Sequence, residues 1–241
     1  MDNMASARPR KPIIGIPQEV EAINREIRSF LDSKDDQGRK IGGCKHGIYA
    51  FYDYEREPIY VGQTEESLRS RIGRHLTNQR TDAVAMNVLD PFEVAYIEVW
   101  PFFSLMEADK VEITRILNAA EFTVFEKVLK ASALGAVLNE KDITSTAVVD
   151  LPASYRHQIV PDTVFQARNH PDIRIARRAS TIARLAQVIS ERDVSLGLRR
   201  TLLTQARRLE RLAQQRLAEF EIAGEIMPVE QLGEETGEDK D

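Results

Sequence analysis

The chain has 241 residues, of which 42% are hydrophobic and 29% charged, and it holds a single cysteine, Cys44. Such a chain is long enough to bury a real core, and its composition excludes a fibre, a wholly disordered chain, an internal disulfide and a cysteine-built zinc site. The net charge of −5 conceals two opposed blocks: Leu151 to Arg216 carries thirteen arginines, five acids and no lysine, whereas Leu217 to Asp241 carries nine acids and one lysine.

In chain order, residues 1 to about 12 read as a flexible polar lead, and Pro17 to Ser33 places Val20, Ile23, Ile27, Phe30 and Leu31 at helical spacing. No apolar run is long enough to cross a bilayer and the lead has no secretory pattern, so a cytoplasmic location without a membrane partner is expected. After a glycine-containing loop, His46 to Tyr54 and Pro58 to Gly62 are short, aromatic and β-branched, and are joined by the polar DYERE, the pattern of a β-hairpin. A turn centred between Tyr54 and Glu55 sets Tyr49 directly opposite Tyr60, with both rings on one face. Thr64 is the expected N-cap of a helix that carries Leu68, Ile72 and Leu76 and runs to about Asn78. Phe92 to Trp100 reads as a central strand, Leu105 to Lys130 as one or two helices, and the stretch around Pro152, Pro161 and Pro171 as irregular. Helices from Ile173 to Ile226, divided near Asp193, precede an acidic tail.

These elements bring forward one set of polar residues: Tyr49, Tyr60, Arg71, His75, Glu126 and Asn139. Gly47-Ile48-Tyr49, then Tyr60-Val61-Gly62 after ten residues, then Arg71 and His75 four apart, then Glu126 and Asn139 resemble the signature of GIY-YIG nucleases over residues 46 to 141. The resemblance implies hydrolysis of DNA phosphodiesters, with Tyr49 as the base, Tyr60 orienting water or phosphate, and Asn139 holding the frame. Gln63 departs from the pattern, since several relatives carry lysine there. Glu126 supplies a hard oxygen suited to Mg²⁺, with Mn²⁺ able to substitute, and its spacing to Asn139 favours it over nearby Glu121. Arg71 suits a bidentate hold on phosphate, and His75, one turn further on, is placed to take a proton from a tyrosine.

The expected architecture is α/β (α+β): a small antiparallel three-stranded sheet flanked by helices. Its parts are a lead and amphipathic helix over residues 1–42, a nuclease core over 43–145, an arginine-rich and mainly helical module over 146–226, and an acidic tail over 227–241. Arg177, Arg178, Arg184, Arg199, Arg200, Arg207 and Arg208 are candidates for contact with the DNA backbone. The stripe of Leu185, Val188, Ile189, Leu202, Leu209 and Leu212 needs an apolar partner, either within the chain or in a homodimer formed through the C-terminal helices. The functional expectation is a Mg²⁺-dependent DNA endonuclease of restriction or defence type. The alternatives are a repair, homing or junction-processing enzyme, or an inactive DNA-binding adaptor on the same fold.

Overall fold

The computed structural model describes residues 18–76, 90–139 and 143–226. The polar lead, the acidic tail and the end of the helix expected to reach Asn78 lie outside the described residues. Helix α1 (Gln18–Asp32) turns Ile27, Phe30 and Leu31 inward. Strands β1 (Gly47–Tyr52) and β2 (Pro58–Thr64) form the hairpin, followed by α2 (Leu68–Leu76), β3 (Tyr96–Pro101) and the single long helix α3 (Lys110–Ala131). Four further elements complete the chain: β4 (Tyr155–Gln158), α4 (Asp162–Asn169), α5 (Pro171–Glu191) and α6 (Leu196–Ile226). Among the described residues, no helix is long and apolar enough to cross a membrane.

The sheet has four strands, not three, in the order β2-β1-β3-β4, and every pair is antiparallel. The additional strand comes from Tyr155–Gln158, inside the stretch expected to be irregular. Its YRHQ sequence has no apolar alternation, and its place in the sheet rests on backbone pairing to Tyr96–Val99.

Every residue of β1 is buried, because helices cover both faces of the sheet. One face presents Tyr49, Phe51, Ile97 and Val99 to Leu31, Leu68, Ile72, Leu185 and Leu198. The other presents Ile48, Ala50, Val61 and Trp100 to Leu117, Ala120, Val124 and Val128 of α3. Trp100 and Phe102 are core residues. The cap of α2 is Ser67, whose hydroxyl accepts from the Ser70 amide at 3.1 Å, while Thr64 closes a local turn with Glu66.

The hairpin loop differs in one respect that matters for the site. Asp53 and Glu57 close a three-residue loop in which Arg56 takes φ 62°, and a bulge follows between Phe51 and Tyr52. Tyr49 therefore pairs with Gly62, and Phe51 with Tyr60. The register has slipped by two residues, so both tyrosines keep the expected face but sit diagonally.

This loop is clamped from far along the chain. Asp53 Oδ2 accepts from Arg174, Arg178 and Arg208 at 3.2, 3.1 and 2.7 Å, and its Oδ1 accepts from the amides of Glu55 and Glu57. Glu93 pairs with Arg178 at 2.8 Å, and Glu55 with Arg174 at 2.9 Å. All three guanidiniums are buried, so their charges depend on these carboxylates for compensation.

Candidate active site

The site begins with a glycine. A Cβ on Gly62 would lie 2.5 Å from Tyr49 Oη and 2.8 Å from the Tyr60 ring, so only glycine lets the first tyrosine lie across the second strand. The two rings stand 6.1 Å apart, with the His75 ring 5.5 Å from Tyr49 and 5.3 Å from Tyr60. Gly62→Ala is expected to cost about 1–3 kcal/mol and to push the Tyr49 hydroxyl off its partners. Thermal unfolding together with a cleavage assay checks this, and unaltered stability and rate would count against the close packing.

Helix α2 lies against this face and points Arg71 and His75, four residues apart, toward the hairpin. Arg71 Nε donates to Tyr49 Oη at 3.1 Å, and Tyr49 Oη lies 2.9 Å from His75 Nε2. With the guanidinium occupying one side of the phenolic oxygen, the hydroxyl proton is free to point at the imidazole. Tyr49 is fully buried, and burial, with the neighbouring Tyr60, raises its pKa well above that of a free phenol despite the opposing pull of Arg71. Tyr60 is only half-buried.

The outer edge of β2 supplies the remaining groups. Ile59, Val61 and Gln63 turn their backbone polar groups away from β1, as every second residue of an edge strand must. Asn139 satisfies Val61 in both directions: Val61 N–H donates to Oδ1 at 3.2 Å and Nδ2 donates to the Val61 carbonyl at 2.8 Å. Leu138 N–H donates to the Ile59 carbonyl at 2.7 Å. Gln63 meets α3, where its side chain donates to Asn118 at 2.8 Å and its backbone amide stabilises the carboxylate of Glu121.

Glu121 also interacts electrostatically with Arg71, and burial pushes its pKa up to about 7 against those two favourable neighbours. Glu121 therefore stands as a candidate beside the expected Glu126. The two glutamates are five residues apart on one helix, hence roughly 140° apart around its axis, so they do not share a face. Spacing to Asn139 does not distinguish them, because the intervening turn, and not a fixed helical step, sets that distance.

The arginine candidates divide. Arg178 and Arg208 are corrected: both are buried in the clamp on Asp53 and present no charge to solvent. Arg177 donates to Asp90 at 3.0 and 2.9 Å and lies over the Phe92 ring. Arg184 bonds the Ser180 carbonyl on the exposed side of α5, while Arg199, Arg200 and Arg207 stand exposed on α6. Sequence reasoning missed Arg174, although a signal existed. Arg174, Arg178, Thr181 and Leu185 follow the helical spacing of a buried stripe, with arginine where an apolar residue is usual.

The site thus sets a tyrosine between a guanidinium and an imidazole, with a half-buried carboxylate near the edge of a small antiparallel sheet. Residues 45–117 match the model of the GIY-YIG catalytic domain, so this segment of the chain is similar to that domain. Comparison with curated proteins and with solved structures returns no match.

Proposed function

We propose that this chain is a divalent-metal-dependent endonuclease that hydrolyses phosphodiester bonds in DNA. The observation that carries the reading is the bonded run from Arg71 through Tyr49 to His75, with Glu121 close enough to Arg71 for their charges to interact.

Glu121 suits a hard cation, because its charged form is buried with less compensation than it needs. Among the described residues, no group of three or more His, Cys, Asp or Glu side chains stands together. Glu121 would therefore be the one protein carboxylate on the ion, with waters completing the shell, as Mg²⁺ tolerates. Bound there, Mg²⁺ or Mn²⁺ would supply positive charge to the phosphoryl and leaving oxygens.

The chain's own groups account for the rest. Arg71 spends Nε on Tyr49 and keeps its two terminal nitrogens for a fork onto the scissile phosphate. Tyr49 accepts a proton from the attacking water while its own passes to His75 Nε2. The two transfers are coupled, because a free phenolate in that enclosed position is costly. Half-buried Tyr60 meets the incoming water or phosphate, and Asn139 keeps the β2 edge in place.

Tyr49→Phe removes the transferable proton and little volume. It should lower kcat for Mg²⁺-supported cleavage of duplex DNA by roughly 10²–10⁴-fold while KM hardly moves. Cleavage at the parent rate, or cleavage unaffected by chelation of Mg²⁺, would sink this mechanism. A restriction or defence role belongs to the same proposal, and it requires that methylated duplex resist cleavage where unmodified duplex does not.

A further inference from the structure

The stripe of Leu185, Val188, Leu202 and Leu212 finds its apolar partner inside this chain, which leaves the opposite side of α6 to be explained. The inward side of α6 buries Leu198, Thr201, Thr204, Gln205, Arg208 and Leu212, and beyond Leu212 no described side chain of this helix is buried. The outward side carries a different pattern. Leu196, Arg199, Leu203, Ala206, Glu210, Ala213, Leu217 and Phe220 follow one another at alternating steps of three and four, a row that is apolar except at Arg199 and Glu210. That is the seam of a coiled coil. It is exposed along its whole length, with Leu196 at 62%, Leu203 at 53%, and Leu217 and Phe220 at 60%. Large apolar residues repeated at this spacing in water are unusual for a helix with no partner on that side.

We infer that this face of α6 is the contact between two copies of the chain, packed antiparallel. The charges beside the seam identify the occupant. Arg200 and Arg207 stand exposed beside the seam in the N-terminal half of the helix and Glu221 in its C-terminal half, where Glu219 is also exposed and is paired with Arg216 of the same helix. A second copy running the opposite way sets each basic half against an acidic half, twice over, as a two-fold contact demands. A parallel copy would set like against like. The helix has 31 residues, about 46 Å, which gives the seam room for three heptads. The inference stands on this helix alone and holds whether or not the chain cleaves DNA.

Light scattering on the full chain at micromolar concentration should give about twice the 27.3 kDa chain mass. Leu203→Glu with Leu217→Glu should raise the dissociation constant at least about 100-fold and leave a monomer. Both sites are exposed, so far-UV circular dichroism should not change, and the urea midpoint should lose only the dependence on protein concentration that dimerisation confers. Arg200→Glu with Arg207→Glu should also give a monomer, as should Glu219→Arg with Glu221→Arg, and mixing these two variants should restore the dimer. A monomeric parent chain, whose arginines then serve DNA alone, overturns the inference, as does a dimer that survives the double leucine variant. A mixture that stays monomeric overturns the charge-matched antiparallel arrangement.

Discussion

Glu121→Gln is expected to reduce Mg²⁺-supported cleavage about 1,000-fold, and Glu126→Gln to leave it close to the parent rate. The contrast follows from geometry, since only Glu121 shares the Gln63 edge and the field of Arg71. Cleavage should also depend on pH in a defined direction. Glu121 must be ionised to hold a cation, and burial pushes its pKa up to about 7, so at limiting Mg²⁺ the rate should climb as pH passes through 7. Excess Mg²⁺ competes with the proton and should move that rise to lower pH.

The stability of the metal-free protein should run the other way. The folded pKa of Glu121 lies above the ordinary carboxyl value of 4.5, so its contribution is fully present below that value and is lost as pH rises through about 7. Metal-free Glu121→Gln should therefore gain stability over the parent between pH 5 and 8, on the order of 2 kcal/mol after allowance for solvent screening. Urea unfolding at both pH values checks this. A rate that falls equally in both glutamine variants, or a parent whose metal-free stability rises across pH 7 relative to Glu121→Gln, would overturn the assignment.

Asp53→Ala should destabilise the protein by about 3–5 kcal/mol, because it leaves Arg174, Arg178 and Arg208 buried without the carboxylate that all three share. That is a large part of the stability of an ordinary domain, so the variant is expected to unfold at ambient temperature or to be recovered poorly. Glu55→Gln is the control that keeps the test informative: Glu55 is 40% exposed in its side chain, touches the network through Arg174 alone, and should cost less than about 1 kcal/mol. Equal urea midpoints for the two variants would show that the network does not hold the fold.

Much of this was legible in the sequence because it depends on short-range pattern. The two tripeptides gave the hairpin, and the four-residue step from Arg71 to His75 gave their common helix face. The register of Tyr49 was not legible, since it depends on a positive φ at Arg56 and a bulge at Phe51, neither of which leaves a compositional trace. β4 was missed because its partner, β3, lies more than fifty residues away and its own side chains show no alternation. Glu121 was placed behind Glu126 on sequence distance to Asn139, a measure that carries no information on which glutamate the helix turns toward Arg71. Arg178 and Arg208 were read as surface charge because arginine is rarely buried, and only a carboxylate more than a hundred residues upstream makes their burial tolerable.

The clamp on Asp53 also sets the order in which the protein can mature. Its three guanidiniums lie 121, 125 and 155 residues downstream of the hairpin loop that they fix. During synthesis the catalytic strands emerge long before these partners, and contacts closing such wide loops form late. A nascent chain that already carries Tyr49, Arg71 and Glu121 would still lack the lock on the turn between its two catalytic strands. The turn between the strands that carry Tyr49 and Tyr60 is therefore locked only after the segment from Arg174 to Arg208 has been made and folded back onto it.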